Sequence, residues 1–242
     1  MRVNYWFLLF FMVIQILTPL VSQTPSTQIG GIALGYPPYQ FTDPQGLPTG
    51  IDADITQLVF QEMKKPFQFV QGKWDTIYLN FVHKVEPVTF LCGVEVTPER
   101  QRLLDFSKPY YHRSSVIFVK AESTYEKVAD LYGKIIAGDR DSFIEKQVEK
   151  NRIRVMVTAS KEDSFQKLKA GDIVAVIAPL EVGNWICKQQ GIQVRTLFET
   201  DPGSPVAFAV AKGNTELAME ISQVLDTLQK RGLIEAVMKK YR

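Results

Sequence analysis

A glutamate and an arginine lie close together in the segment CGVEVTPERQRLLDFSKPYY, residues 92–111, near the end of an apolar run. The guanidinium group of Arg100 keeps its charge and can donate two parallel hydrogen bonds to one carboxylate. Glu95 is either a partner for a ligand ammonium group or the counter-ion of Arg100, because a partly buried carboxylate must be paired. The segment therefore predicts an internal ion pair or a binding site for a small charged molecule.

Arg100 also has a purely structural interpretation. Thr97 is a residue type that caps helix N-termini, and Pro98 is favoured in a first helical turn, so Arg100 could lie on the surface of a short helix. Side chains two positions apart on a strand point to the same side, so we expect Glu95 to face the same side as Gly93.

The elements around this segment alternate between strands and helices. The pattern predicts strands at Ile29–Leu34, Phe67–Phe69 and Val88–Cys92, with one helix capped by Asp52 or Asp54 and another that begins at Trp74. A second series of alternating elements follows, and the linker-like run Glu199–Pro205 precedes a last strand and a long amphipathic helix. This alternation predicts two α/β lobes, with a ligand cleft at the carboxyl ends of the strands.

Residues 1–22 have the features of a secretory signal peptide. Arg2 precedes the unbroken apolar run Tyr5–Ile14, and Pro19 and small or polar residues follow it. The alternative is an uncleaved anchor, although Gln15 and Pro19 interrupt the run before it reaches the ~20 apolar residues of a membrane-spanning helix. We expect cleavage near Ser22.

The composition indicates a folded protein of nearly neutral charge. Removal of residues 1–22 takes away Arg2 and no acid, so the count of Lys and Arg falls from 28 to 27, against 26 Asp and Glu. This balance gives no reason to expect nucleic acid or an anionic membrane surface as a partner. The two cysteines, Cys92 and Cys187, do not make a disulfide framework. No motif predicts a metal site or a cofactor.

Short motifs occur in a fixed order along nearly the whole chain after the signal peptide. They are GYPPYQF at 35–41, GIDAD at 50–54, Trp74-Asp75, GVEVTPER at 93–100, DFSKPYY at 105–111, LKAG at 168–171, and the C-terminal Gly232 to Tyr241. This ordered set resembles the bacterial extracellular solute-binding proteins of family 3, the periplasmic polar amino-acid-binding proteins of ABC importers.

The resemblance implies a type II periplasmic binding protein-like fold, in which two lobes close around one small ligand. Lobe 1 would comprise residues 23–111 and 206–242, lobe 2 residues 112–205, and the chain would cross between them twice. It also implies a periplasmic, non-enzymatic monomer that delivers an amino acid or small carboxylate to an ABC permease. Cys92 and Cys187 would lie on different lobes, so no intramolecular disulfide is expected.

Several site residues carry over from the resemblance. Arg100 matches the position that binds the ligand α-carboxylate, and Gly93 matches a glycine whose carbonyl oxygen accepts from the ligand ammonium group. Tyr36 and Trp74 match the aromatic positions that sandwich the ligand, with ordinary core packing as the alternative for each. Tyr39 is expected to be structural.

The sequence departs from the family at several expected positions, among them Val174, which replaces a commonly acidic residue. Glu95 stands where similar proteins have Thr or Ser. Ser142 lies in a turn, Arg140 to Phe143, that differs from the usual one, and with Glu145 it also fits a plain capping box. Pro179 stands where an aspartate usually binds the ligand ammonium group, so Glu95 could replace that charge from the other lobe.

Two other functions fit the same scaffold. A dehydratase-like enzyme would need a general acid, for which Glu95 and, less well, Glu181 are the candidates. A stand-alone sensor for a membrane receptor would carry no distinguishing motif. His83 and His112 are expected to be surface residues rather than parts of a triad or metal site.

Overall fold

A computed structural model of the protein describes residues 26–138, 148, 153–197 and 203–241. Its strands are β1 Gln28–Ala33, β2 Phe41–Thr42, β3 Pro48–Thr49, β4 Phe67–Gly72, β5 Phe90–Glu95, β6 Leu104–Phe106, β7 Tyr111–Arg113, β8 Ser115–Lys120, β9 Ile135–Ala137, β10 Arg154–Met156, β11 Ala175–Pro179, β12 Val194–Leu197 and β13 Ser204–Ala211. Its α-helices are α1 Ile51–Met63, α2 Trp74–Val82, α3 Pro98–Leu103, α4 Lys161–Ala170, α5 Leu180–Gln190, α6 Thr215–Lys230 and α7 Leu233–Lys240. A 3-10 helix covers Val128–Leu131.

The strands form two large mixed sheets. The first has the order β4-β1-β5-β13-β6, with β7 also paired to β13, and the second has the order β10-β9-β11-β8-β12. Pairing is parallel between β1 and its neighbours and antiparallel along β13, which comes from the C-terminal part of the chain. The predicted α/β class, with mixed sheets flanked by helices, is confirmed.

The chain passes between the two sheets twice. It leaves the first sheet after Arg113 and enters the second at Ser115, then returns between Leu197 and Ser204. The two passages are joined at the first sheet, because β7 pairs with the start of β13 and places Arg113 opposite Ser204. Any rotation of one sheet relative to the other would therefore act on this pair of strands.

The first sheet has an aromatic core on the side covered by α1 and α6. Phe60 of α1 stacks on Phe90 of β5 with ring centroids 4.7 Å apart, and Phe208 of β13 lies 6.0 Å from Phe90. All three rings are buried, and burial of each contributes about 1.5–3 kcal/mol of stability. The strands that carry the candidate site are thus packed against a buried aromatic core.

The predicted caps of α1 are wrong. The helix begins after Gly50, and no side chain caps it. Asp52 is completely buried, and Asp54 instead accepts hydrogen bonds from Lys240 at 2.7 Å and from the Tyr241 hydroxyl at 3.0 Å. Both carboxylates accept hydrogen bonds from distant parts of the chain and do not cap the N-terminus of α1.

Within the described ranges, no helix combines the length and the hydrophobicity needed to cross a membrane. Cys92 and Cys187 are both free and buried, the first in a strand of the first sheet and the second in a helix that follows the second sheet's β11. His83 ends α2, and the side chain of His112 on β7 is exposed.

Candidate functional site

A β-bulge at Gly93 shapes the end of β5. Val94 pairs with Ala207 and Leu91 with Ala209, so Cys92 and Gly93 together face a single residue of β13. Gly93 has φ +69°, the left-handed conformation that glycine adopts most readily. The bulge interrupts the regular alternation, so the rule that placed Gly93 and Glu95 on the same side does not apply across it.

Gly93 is also where two polar side chains approach the backbone. A Cβ atom at this position would lie 1.9 Å from Gln40 Nε2 and 2.1 Å from Asp52 Oδ2. The Gly93 N–H donates to the Tyr110 hydroxyl at 2.8 Å. The structure therefore gives Gly93 a clear packing role, in addition to the ligand contact that its sequence position predicts.

Asp52 is the centre of a buried hydrogen-bond network beneath Gly93. Its Oδ1 accepts from the hydroxyls of Tyr110 at 2.7 Å and Tyr111 at 2.9 Å, and its Oδ2 accepts from Gln40 Nε2 at 2.7 Å. Burial raises the pKa of the Asp52 carboxyl, while the charge of Arg113 and these donors act in the opposite direction. The network ties α1 to the segment that leads into β7.

Arg100 lies on α3 as the structural interpretation predicts, and it also has an ordered guanidinium group. Thr97 caps the helix, with its hydroxyl accepting from the Arg100 N–H at 3.3 Å. Arg100 Nη1 donates to the backbone carbonyl oxygen of Glu95 at 2.9 Å, and its Cζ lies 5.8 Å from the Trp74 ring and 5.7 Å from the Tyr78 ring. The half-buried guanidinium is thus held by one hydrogen bond and two aromatic faces, while most of its N–H donors can serve a ligand.

The carboxylate of Glu95 meets a different arginine from the one considered in the sequence. Arg113 Nη1 lies 3.4 Å from Glu95 Oε1. Arg100, within the described part of the chain, bonds to the backbone oxygen of Glu95 and not to its carboxylate. The side chain of Glu95 is about one-third exposed, and that of Arg113 is only 7% exposed. Glu95 therefore lies between two arginines and is the counter-ion of the more deeply buried one.

Arg113 is surrounded by tyrosines as well as acids. Its Cζ lies 4.3 Å from the Tyr39 ring centroid and 5.2 Å from that of Tyr36, and its Nη2 donates to the Tyr111 hydroxyl at 2.8 Å. Asp52 Oδ2 is 3.9 Å from Nη2. Sequence reasoning missed Arg113, although its position two residues after Tyr111 on a strand places both side chains on the same side.

The two predicted aromatic residues contact different arginines. Trp74 contacts Arg100, while Tyr36 contacts Arg113 and stacks on Tyr39 with ring centroids 5.9 Å apart. Tyr39 is 2% exposed. Ser142, the predicted site residue of the second lobe, lies outside the described residues.

The carboxyl edge of the second sheet supplies two further charged groups. Lys161 Nζ donates to the carbonyl oxygens of Gly138, which follows β9, and Ile177, in β11, at 2.7 and 3.3 Å. Burial raises the pKa of the Tyr39 hydroxyl, the positive charge of Arg113 opposes this rise, and the negative charge of Glu181, in the first turn of α5, adds to it. Pro179 ends β11 and offers no polar side chain there.

Comparison with known proteins identifies the chain's relatives. The model of the bacterial extracellular solute-binding proteins, family 3, matches residues 29–242. The ABC transporter arginine-binding protein 1 of Escherichia coli (strain K12) is 27% identical over 215 residues, which cover 86% of this chain and 87% of that protein.

Among solved structures, too, the chain is similar to arginine-binding proteins. An ancestral arginine-binding protein bound to glutamine is 28% identical, with a TM-score of 0.74, over 89% of this chain and 97% of the other. An ancestral arginine-binding protein bound to arginine is 27% identical, with a TM-score of 0.75, over 90% of this chain and 99% of the other. The similarity thus extends over most of both partners in each comparison.

Proposed function

We propose that this protein, which belongs to the bacterial extracellular solute-binding proteins of family 3, binds an amino acid or related small carboxylate and delivers it to an ABC importer. The observation that carries the proposal is the geometry of Arg100. Its guanidinium group is half-buried, stacked near Trp74 and held by one backbone carbonyl oxygen, at the carboxyl end of β5. A half-buried guanidinium that is held in place and keeps unused donors suits a carboxylate.

The ligand lies in the cleft between two lobes, with Arg100 binding its carboxylate. Trp74 and Tyr36 form apolar walls, and Gly93 offers a carbonyl oxygen. Glu95 provides a negative charge beside the two arginines, and Ser142 is the proposed contact from the second lobe. The proposed lobes are residues 23–111 with 206–242, and residues 112–205, and the strands β7 and β13 carry the first sheet two residues past each boundary, to Arg113 and from Ser204.

The relatives support the amino-acid class and the transport role, because the similar Escherichia coli protein is an arginine-binding protein of an ABC transporter. We propose that residues 1–22 are a signal peptide, that the mature protein acts as a periplasmic monomer, and that its protein partner is a permease. We further propose that it is not an enzyme. Turnover of a carboxylate ligand would support the dehydratase-like alternative, and a bound ligand recovered unchanged would support a binding protein.

Thermal shift measurements of residues 23–242 against amino acids, amines and simple carboxylates test the proposal. A ligand at a hundred times its dissociation constant adds about 2.7 kcal/mol of stability, which raises the melting temperature by several degrees. We expect a shift with a carboxylate-bearing ligand and none with amines that lack a carboxylate.

The substitution Arg100→Ala should abolish that shift while leaving the far-UV circular dichroism spectrum unchanged. Arg102→Ala, an exposed arginine on the same helix, is the matched control and should leave the shift intact. If Arg100→Ala binds the ligand with unchanged affinity, Arg100 is not the carboxylate-binding residue.

A further inference from the structure

The guanidinium group of Arg113 lies inside a cage of tyrosine rings. Its Cζ atom is 4.3 Å from the ring centroid of Tyr39, 5.2 Å from that of Tyr36 and 5.8 Å from that of Tyr111. Aromatic faces attract cations, and most strongly when water is excluded. Only 7% of the Arg113 side chain is exposed, so the cage is largely dry.

Two carboxylates add negative charge to the cage. Glu95 Oε1 is 3.4 Å from Arg113 Nη1, and Asp52 Oδ2 is 3.9 Å from Nη2. The Tyr111 hydroxyl accepts from Nη2 at 2.8 Å. Acidic and aromatic groups converging on one point are the means by which a protein recognises a cation, and here the cation belongs to the chain itself.

The hydrogen bonding of the Arg113 guanidinium group in the cage is incomplete. Among the described residues, Arg113 Nε is one of two buried side-chain polar atoms that have no hydrogen-bond partner. An unpaired buried donor lowers stability, and native proteins contain few of them. A side chain kept for packing alone would avoid this cost, whereas loss of the charge would leave Glu95 and Asp52 without the cation that both approach.

We propose that Arg113 determines specificity, by filling the cage with a cation of the chain and so excluding ligands whose side chain is cationic. This inference rests on the proposed function and narrows its ligand to carboxylates with a neutral or acidic side chain. A second cation brought to the cage would be repelled by Arg113 and would find both carboxylates already engaged. Selectivity thus comes from an internal group that blocks one ligand class.

Calorimetric titration with L-glutamine, L-glutamate and L-arginine tests the proposal on the wild-type protein, Arg113→Met and Arg113→Lys. We expect the wild-type protein to bind glutamine or glutamate and not arginine. Arg113→Met, which removes the positive charge from the cage and leaves the two carboxylates, should improve arginine binding by about tenfold or more. Arg113→Lys keeps the positive charge and should continue to exclude arginine.

A second measurement covers the case in which Arg113→Met is unstable. The melting temperature of Arg113→Ala is measured with methylguanidinium chloride and, as the ionic-strength control, with the same concentration of potassium chloride. Methylguanidinium should raise the melting temperature of Arg113→Ala above the control and leave that of the wild-type protein unchanged. Equal values in the two salts would overturn the cage assignment.

The two proposals fail in different ways. If the wild-type protein binds arginine as tightly as glutamine, the specificity role of Arg113 is wrong and the amino-acid-binding function stands. If it binds no carboxylate ligand at all, the proposed function is wrong and with it the assigned ligand class. Stabilisation of Arg113→Ala by methylguanidinium would then still support the cage as a cation site.

Discussion

The guanidinium group of Arg113 lies 3.4 Å from the carboxylate of Glu95, and this contact joins β7, which pairs with β13, to the end of β5. Arg100 contacts the same glutamate through its backbone oxygen, at 2.9 Å. The two arginines therefore differ in role. Arg113 has its charge balanced inside the protein, whereas the charge of Arg100 has no side-chain carboxylate partner among the described residues and can serve a ligand.

Glu95→Gln should strengthen the binding of acidic ligands. The substitution removes the negative charge that neutralises Arg113, so the cleft gains net positive potential. We expect the affinity for L-glutamate to rise severalfold relative to that for L-glutamine, with a small loss of stability, about 0.5–1 kcal/mol, because the pair is partly exposed. Calorimetric titration and urea unfolding measure the two effects. The exposed Glu216→Gln, on α6, is the charge-matched control, and an unchanged glutamate-to-glutamine ratio in Glu95→Gln would contradict the prediction.

Gly93→Ala should destabilise the protein severely. An alanine Cβ would overlap Gln40 Nε2 and Asp52 Oδ2, and the φ of +69° is itself unfavourable for alanine. Strain and displacement of the buried network together should cost about 3 kcal/mol or more.

Gly232→Ala tests the effect of the unfavourable φ without the steric overlap. Its φ is +71°, but no atom lies within 4 Å of an added Cβ. The backbone term alone should therefore cost about 1–2 kcal/mol. Urea unfolding of both variants gives the comparison, and equal losses would show that the packing against Asp52 contributes nothing.

Asp105→Asn should lose stability in a pH-dependent manner. A hydrogen bond from Lys212 and one from the backbone N–H of Gly213 hold the pKa of the Asp105 carboxyl below its ordinary value. A lowered folded-state pKa gives stability that is present above the unfolded-state pKa and lost as the pH falls through the folded-state value. The urea midpoint of Asp105→Asn should therefore lie below that of the wild-type protein at pH 7, and the difference should shrink below about pH 4.

Lys212→Met is the partner control for that experiment. It removes the hydrogen bond from Lys212 that lowers the pKa of Asp105, so it should also lower the urea midpoint at pH 7. Adding Asp105→Asn to Lys212→Met should then lower the midpoint less than Asp105→Asn does in the wild-type protein. A midpoint difference between wild type and Asp105→Asn that is the same at pH 7 and pH 3.5 would contradict the assignment.

Local signals were sufficient to predict most of the elements, including the short helix that carries Arg100. The cap at Thr97 and the proline after it define α3 through contacts between near neighbours in the chain, so the sequence predicts them directly. The alternation of apolar runs likewise predicted the α/β class. The start of α1 was mispredicted because the cap rule considers only local donors, whereas Asp52 bonds to Tyr110 and Tyr111, nearly sixty residues away.

The partner of Glu95 could not be predicted for a similar reason. Arg113 follows Glu95 by eighteen residues, and the pairing depends on β7 and β5 lying on opposite sides of β13. The bulge at Gly93 depends on the register of that same strand. Sheet order and register are set by long-range packing, which no single-sequence pattern reports. A basic residue two positions after Tyr111, on a strand between two predicted lobes, was the one available signal.

Trp185→Leu should weaken ligand binding without touching the carboxylate site. Phe41, in the segment between β1 and α1, lies 5.4 Å from the ring of Trp185 on α5, so this aromatic pair joins the two lobes. The ring of Phe41 also packs against the ring of Tyr241, whose hydroxyl donates to Asp54. These contacts hold the Phe41 side of the aromatic pair in place. Loss of an aromatic pair of this kind costs about 0.5–1.5 kcal/mol.

We expect that loss to fall only on a closed arrangement of the lobes, because an opening about the β7–β13 pair would separate the two rings. A ligand that needs the closed state then binds more weakly in proportion to the fraction of closed protein, which predicts a dissociation constant about 2- to 12-fold higher. Calorimetry measures the affinity, and small-angle scattering of the ligand-free variant should show a larger radius of gyration than the wild-type protein. Tyr132→Leu, an exposed aromatic residue near the 3-10 helix, is the control. Unchanged affinity together with an unchanged radius of gyration in Trp185→Leu would show that this pair does not hold the lobes together.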